Sequence, residues 1–99
     1  MSIPEYLIVA NPVSGRGRGK SVGKEVRRRL AEKGISVRLT FTEERGHGRV
    51  IAAEAVRDGV QRVVACGGDG TVHEVASSAA GSNTAVGIVP CGTGNDLAR

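Results

Sequence analysis

Three glycines and one carboxylate share a short stretch of this chain, Cys66-Gly67-Gly68-Asp69-Gly70-Thr71. An apolar run, Arg62-Val63-Val64-Ala65, leads into it, and a helical pattern starting at Thr71 leads out. Glycine lacks a Cβ and tolerates positive φ, so backbone N–H groups in such a turn can converge on an anion. A helix start adds partial positive charge at the same point. Asp69 can hold Mg²⁺ directly or through water, because hard cations that accompany phosphates use one or two carboxylates. The chemistry expected here is the handling of a phosphate chain and its metal ion. The competing role for Asp69 is a turn or helix cap. Thr71-Val72-His73-Glu74 also fits a capping box, which sets a structural role for Glu74 against a catalytic one.

Two further glycine-rich loops repeat this logic. Asn11-Pro12-Val13-Ser14-Gly15-Arg16-Gly17-Arg18-Gly19 precedes a helical pattern. Ser14 can donate to a phosphate oxygen, and Asn11 can anchor the loop or meet an adenine-ribose edge. The loop is not a Walker P-loop, because the G-x-x-x-x-G-K-[ST] spacing is missing. Pro90-Cys91-Gly92-Thr93-Gly94-Asn95-Asp96 offers a hydroxyl at Thr93 and backbone amides at Gly92 and Gly94, while Asn95 or Asp96 can cap a following helix. His73 has no metal partner at a useful spacing. His47, in Arg45-Gly46-His47-Gly48, is expected in a loop or cap.

The elements that must position these loops alternate. Apolar runs at residues 6–10, 37–41, 63–66 and 86–89 read as strands. Helical patterns at 19–33, 48–58 and 71–80 lie between them, and another begins at Asn95. Val22, Val26 and Leu30 mark one apolar face, and Val50, Ala53 and Val56 another. Gly34 and Gly59 are natural stops. Strands joined by helices of this length form right-handed βαβ units and a parallel sheet. The expected fold is a three-layer, doubly wound α/β sheet, a Rossmann-like nucleotide-binding half with strand order 3-2-1-4. In such sheets ligands bind beyond the carboxyl ends of the strands, where all three glycine loops fall.

Composition narrows the class. The 99 residues carry 39% hydrophobic and 24% charged side chains, the profile of one small globular domain. The net charge is +4. Lys20, Lys24, Arg27 and Arg28 share a helical face, which is either a solvated outer face or a contact for anionic lipid or nucleotide. Nucleic acid is not expected, because no aromatic side chain is interleaved with the basic ones to stack bases. Cys66 and Cys91 are too few for a disulfide framework and are expected as free buried thiols in a reducing cytosol. They end two expected strands, a placement compatible with their being neighbours. No apolar run reaches membrane-spanning length and no signal peptide is visible. The expected location is cytoplasmic, with peripheral contact at an inner membrane surface.

Taken in order, the three loops resemble the diacylglycerol kinase catalytic domain family, which includes sphingosine- and ceramide-kinase-like proteins. The carrying residues are Asn11-Pro12-Val13-Ser14-Gly15, Gly67-Gly68-Asp69-Gly70-Thr71 with Glu74-Val75, and the run from Pro90 through Asn95-Asp96-Leu97-Ala98-Arg99. The middle motif is shared with NAD kinases, and the last one favours the lipid kinase branch. The resemblance implies transfer of the ATP γ-phosphate to a lipid hydroxyl, diacylglycerol-like, with Mg²⁺. It implies nucleotide contacts at Asn11, Ser14, Gly15, Thr42, Gly67, Gly68, Asp69, Gly70, Thr71, Glu74, Gly92, Thr93 and Gly94. Asp69 is implied as the residue most needed for activity. It also implies a second, mostly β domain that carries the general base and further metal ligands, which is not in these residues. The chain is therefore expected to be the N-terminal ATP-binding portion, inactive by itself. An exposed sheet edge invites self-association. The alternatives are an NAD kinase-like enzyme and a non-catalytic nucleotide-binding module.

Overall fold

A computed structural model describes residues 3–91. The order of elements is β1 (Tyr6–Ala10), α1 (Ser14–Glu32), β2 (Val37–Phe41), α2 (His47–Asp58), β3 (Arg62–Gly67), α3 (Asp69–Ala79) and β4 (Ala85–Pro90). All strand pairings are parallel, and the sheet order is β2-β1-β3-β4.

The parallel α/β class is as expected, but the order 3-2-1-4 is not. β1 lies between β2 and β3, with Tyr6 opposite Val37 on one side and Arg62 on the other. Burial supplies the reason. In β3 every residue after Arg62 is buried, as a strand covered on both faces requires. In β2 Arg38 is exposed and its neighbours are only half-buried. A strand with a charged residue on one face is stable at an edge and costly in the middle of a two-sided sheet.

The sheet is the middle layer. On one face, Ile8, Ala10, Val64, Cys66 and Cys91 pack against Val22, Val26 and Leu30 of α1. On the other, Leu7, Val9, Val63 and Ala65 pack with Ile51, Ala52 and Ala55 of α2 and Val75 of α3. The α1 face is the one its four-residue spacing predicts. For α2 the buried stripe is Gly48, Ile51, Ala52 and Ala55 instead, and Val50 is 54% exposed. Small residues at 48, 52 and 55 let α2 lie close to both the sheet and α3, a position that a Val stripe would crowd.

Two helix starts also differ from expectation. α1 begins at Ser14, yet Gly15, Arg16 and Gly17 have φ of 60°, 62° and 92°. Regular right-handed turns begin only after Gly17, close to the expected start at 19. α3 begins at Asp69 rather than Thr71, so the carboxylate is the first residue of the helix.

Candidate functional site

The carboxyl ends of β1, β3 and β4 converge through backbone contacts. The Asn11 N–H donates to the Cys66 carbonyl (3.0 Å), and the Cys91 N–H donates to the Gly67 carbonyl (3.1 Å). The first loop fits against both ends. A Cβ at Gly15 would lie 1.8 Å from the Cys91 carbonyl oxygen, and one at Gly19 the same distance from the Asn11 carbonyl oxygen. Glycine at these two positions is what allows the loop to sit on the sheet edge.

Within that loop the Asn11 side-chain oxygen accepts the Val13 N–H (3.1 Å). Asn11 thus anchors the loop, one of the two parts expected of it. Ser14 is half-buried and faces the second loop, with its Oγ 3.7 Å from where a Cβ on Gly68 would stand. Gly67 is buried beneath Thr71; a Cβ there would lie 2.9 Å from the Thr71 Cβ. Gly68 is extended and caps α3 through its backbone only, with its carbonyl accepting the Val72 N–H (3.1 Å). The N–H groups of Asp69, Gly70 and Thr71 therefore precede the first intrahelical bond and are available to an anion.

Asp69 is exposed and makes no hydrogen bond or ion pair among the described residues. The cap role is not what it performs. The capping box at Thr71 and Glu74 is also not formed, because Thr71 lies inside α3. The Glu74 carboxylate reaches across to α2 instead, where Oε2 accepts the Gly46 N–H (2.8 Å) and Oε1 the Gly48 N–H (3.0 Å).

A cavity of about 280 Å³ opens beside α3, lined by Asn11, Val13, Thr42, Glu43, Glu44, Arg45, Gly70, Thr71 and Glu74. Five of the expected site residues meet here: Asn11, Thr42, Gly70, Thr71 and Glu74. Ser14 and Gly15 fall at the start of α1, and Gly67, Gly68 and Asp69 span the junction of β3 with α3. Gly92, Thr93 and Gly94 lie outside the described residues. Val13, Glu43, Glu44 and Arg45 are not among the expected residues; the glycine at 48, where a Cβ would fall 2.7 Å from Glu74 Oε1, is the signal that this segment packs closely on a neighbour. Thr42 donates its N–H to the Ala10 carbonyl (2.9 Å), and His47 Nδ1 accepts the Glu43 N–H (2.9 Å), the loop role expected for that histidine. Two larger depressions lie elsewhere. One of about 390 Å³ lies along the β2 edge and is lined by Arg38, Thr40 and Ile51. The other, about 650 Å³, lies at the amino ends of β3 and β4, by Arg62 and Thr84. Size does not select the site, since neither depression is lined by a residue of the glycine loops at 11–19 and 67–71.

Cys66 and Cys91 are free, buried and side by side. Burial, with Cys91 adding to it, pushes the Cys66 thiol up to about 12. Burial raises Cys91 as well, against the pull of Arg18. These are packing thiols rather than nucleophiles. On α1, Arg28 and Arg29 pair with Glu25, and Arg28 also with Glu32. Lys20, Lys24 and Arg27 are exposed beside that network. No helix among the described residues is long and apolar enough to cross a membrane.

The model of the diacylglycerol kinase catalytic domain matches residues 5–99. A Mycobacterium tuberculosis protein named diacylglycerol kinase is 35% identical over 97 residues, covering 98% of this chain and 31% of the relative. A protein of Enterobacter sp. strain 638 named "Probable lipid kinase YegS-like" is 35% identical over 99 residues, covering 96% of this chain and 32% of the relative. The crystal structure of a diacylglycerol kinase from Bacillus anthracis str. Sterne superposes with a TM-score of 0.75 at 26% identity, over 97% of this chain and 36% of that one. The chain thus spans about a third of the length of these relatives. With the ordered loops, the parallel sheet and a match from residue 5 to the last residue, the chain belongs to the diacylglycerol kinase catalytic domain family.

Proposed function

We propose that the cavity beside α3 and the turn at 67–71 bind ATP, and that this chain is the nucleotide-binding part of a lipid kinase. The observation that carries the reading is the exposed Asp69 carboxylate at the first residue of α3, without a partner among the described residues and next to helix N–H groups that have no intrahelical acceptor. In this reading the phosphates lie against Gly67, Gly68, Asp69, Gly70 and Thr71, with Ser14 and Gly15 bordering them from the first loop. Thr42 and Asn11 lie on the side where the nucleoside would sit.

The residues present fit Mg²⁺ in a limited way. No group of three metal-ligating side chains occurs among the described residues. Asp69 would supply one oxygen, with phosphate and water completing the shell, the usual arrangement for this ion. Bound there, the ion neutralises charge that develops on a transferring phosphoryl group. The chain's own part is to bind and orient the triphosphate, which in phosphoryl transfer is a large share of the catalysis.

The acceptor is a lipid hydroxyl, diacylglycerol-like, a reading supported by the names of the relatives. The general base is expected from the two thirds of such a protein not present here, so these 99 residues alone catalyse no transfer. The exposed Lys20, Lys24 and Arg27 are suited to an anionic membrane surface that presents the lipid.

Calorimetric titration of the chain with ATP and Mg²⁺ tests the site. Saturable binding that Asp69→Ala abolishes supports it; absence of binding, or binding unchanged in Asp69→Ala, overturns it. A protein of the relatives' length that phosphorylates NAD but not diacylglycerol would replace the lipid acceptor. Lipid phosphorylation by the 99 residues alone would refute the claim that they are inactive.

A further inference from the structure

Glu74 connects parts of the site that are distant in sequence. It stands on the second turn of α3, the helix whose first residue is Asp69. Its two carboxylate oxygens accept the N–H groups of Gly46 and Gly48 at the start of α2. α2 has no side-chain cap of its own and no acidic residue in its first turn. The His47 and Arg49 N–H groups find backbone acceptors at Glu44 and Gly46, and the Gly48 N–H and the positive helix end are met by a carboxylate from another helix. Contact is close enough that a Cβ on Gly48 would fall 2.7 Å from Glu74 Oε1. Gly46 has φ of 90°, so the chain enters α2 through a left-handed residue directly at the clamp.

The segment held in this way is one wall of the cavity. Thr42, Glu43, Glu44 and Arg45 line it together with Gly70 and Thr71. The wall is fixed at its near end by the Thr42 N–H to the Ala10 carbonyl. Its far end is fixed by Glu74. A second link between α3 and α2, from Ser78 Oγ to the Arg49 carbonyl (2.9 Å), lies outside the cavity lining.

From this geometry we infer that Glu74 is a positioning residue. Through Gly46 and Gly48 it holds the wall at 42–45 in register with the phosphate turn. One rigid helix then sets both the phosphate side and the facing wall of the pocket. The inference rests on the nucleotide reading of that pocket. It replaces direct contact with ATP as the main work of Glu74, since a carboxylate is already satisfied by two backbone donors and is repelled by phosphate.

The test compares Glu74→Ala, Glu74→Gln and Ser78→Ala in the 99-residue chain. Amide hydrogen exchange at Gly46 and Gly48 is followed, with amide shifts at residues 42–45 and ATP–Mg²⁺ affinity. Glu74→Ala is expected to lose protection at both glycine amides, shift 42–45 and weaken ATP about tenfold. Glu74→Gln keeps one acceptor and is expected to fall between Glu74→Ala and wild type. Ser78→Ala removes a link between the same helices and is expected to leave ATP affinity within twofold. Unchanged exchange at Gly46 and Gly48 in Glu74→Ala would overturn the inference. So would ATP affinity within twofold of wild type in that variant, or an equal loss in Ser78→Ala. Wild-type chain that binds no ATP would overturn the nucleotide reading instead, while loss of protection in Glu74→Ala would still establish the clamp.

Discussion

Replacing Gly19 by alanine should be among the most damaging small substitutions in this chain. Gly19 is buried and its φ is not in the left-handed region, so backbone strain plays no part. The difficulty is space. The added Cβ would lie 1.8 Å from the Asn11 carbonyl oxygen, 3.0 Å from its carbon and 3.4 Å from the Ser14 Cβ. Relief requires the carbonyl to recede by about 1.2 Å even to reach 3.0 Å, a separation that is still severe. Asn11 is not free to move, because its N–H is bonded to Cys66 and its carbonyl accepts the Ser14 N–H. Overpacking of this kind costs about 1–3 kcal/mol, and one strained hydrogen bond adds about 1 kcal/mol. The expected loss is therefore about 2–4 kcal/mol by urea denaturation. Two alanine controls separate the causes. At Gly70 nothing lies within 4 Å and the residue is helical, so alanine should cost nothing or gain up to about 1 kcal/mol. At Gly17 there is also open space but φ is 92°, so alanine should cost about 1–2 kcal/mol from conformation alone. Gly19→Ala within about 0.5 kcal/mol of wild type, the range of a neutral surface change, would refute the packing argument.

Other outcomes can be checked on the same material. Asp69→Asn should leave urea stability within about 0.5 kcal/mol, because the side chain is exposed and has no partner among the described residues, while ATP–Mg²⁺ binding falls; a large stability loss would mean that it is structural after all. Cys66 should resist iodoacetamide in the native chain and react on unfolding. The thiol is raised in the folded state, so its contribution is fully present below about pH 9, where the unfolded thiol titrates. It is lost as pH rises from there toward 12, with a slope of at most about 1.4 kcal/mol per pH unit. Stability that does not fall above pH 9 would contradict this. Reversing Lys20, Lys24 and Arg27 to Glu should abolish sedimentation with phosphatidylserine vesicles. At about 1 kcal/mol per basic residue near such a surface, three residues correspond to roughly 100-fold in wild-type affinity at low salt. Wild-type binding insensitive to salt would rule the stripe out.

Much of the fold could be read from residue patterns, and the failures have identifiable causes. The strands at 6–10 and 37–41 match the structure at both ends. Strand order failed although the evidence was in the residues. Val63-Val64-Ala65-Cys66 is apolar on both faces and belongs in the middle, while Arg38 and Thr40 mark β2 as an edge. The α2 stripe failed because Val50 and Val56 look more apolar than Gly48, Ala52 and Ala55. Helix-to-helix packing selects for smallness as well as hydrophobicity. The glycine turn at 67–70 was legible as a strand-to-helix junction, because three glycines between an apolar run and a helical pattern leave room for little else. The role of Glu74 was not. A local box with Thr71 and a bridge to Gly46 draw on the same residue type, and only tertiary structure distinguishes them.

The central place of β1 has a consequence for the order in which the molecule can assemble. β1 precedes its two partner strands in the chain, yet its second side stays open while two helices and an edge strand are made, since Ala10 must wait for Cys66 to arrive. Until then Leu7, Ile8, Val9 and Ala10 have only β2 beside them, on one side. A nascent chain halted between Phe41 and Arg62 would present an unpaired apolar strand edge, the kind of surface that recruits other chains or chaperones. Local contacts within the β1–α1–β2 unit can form early. The long-range closure onto β3 then sets the pace of folding.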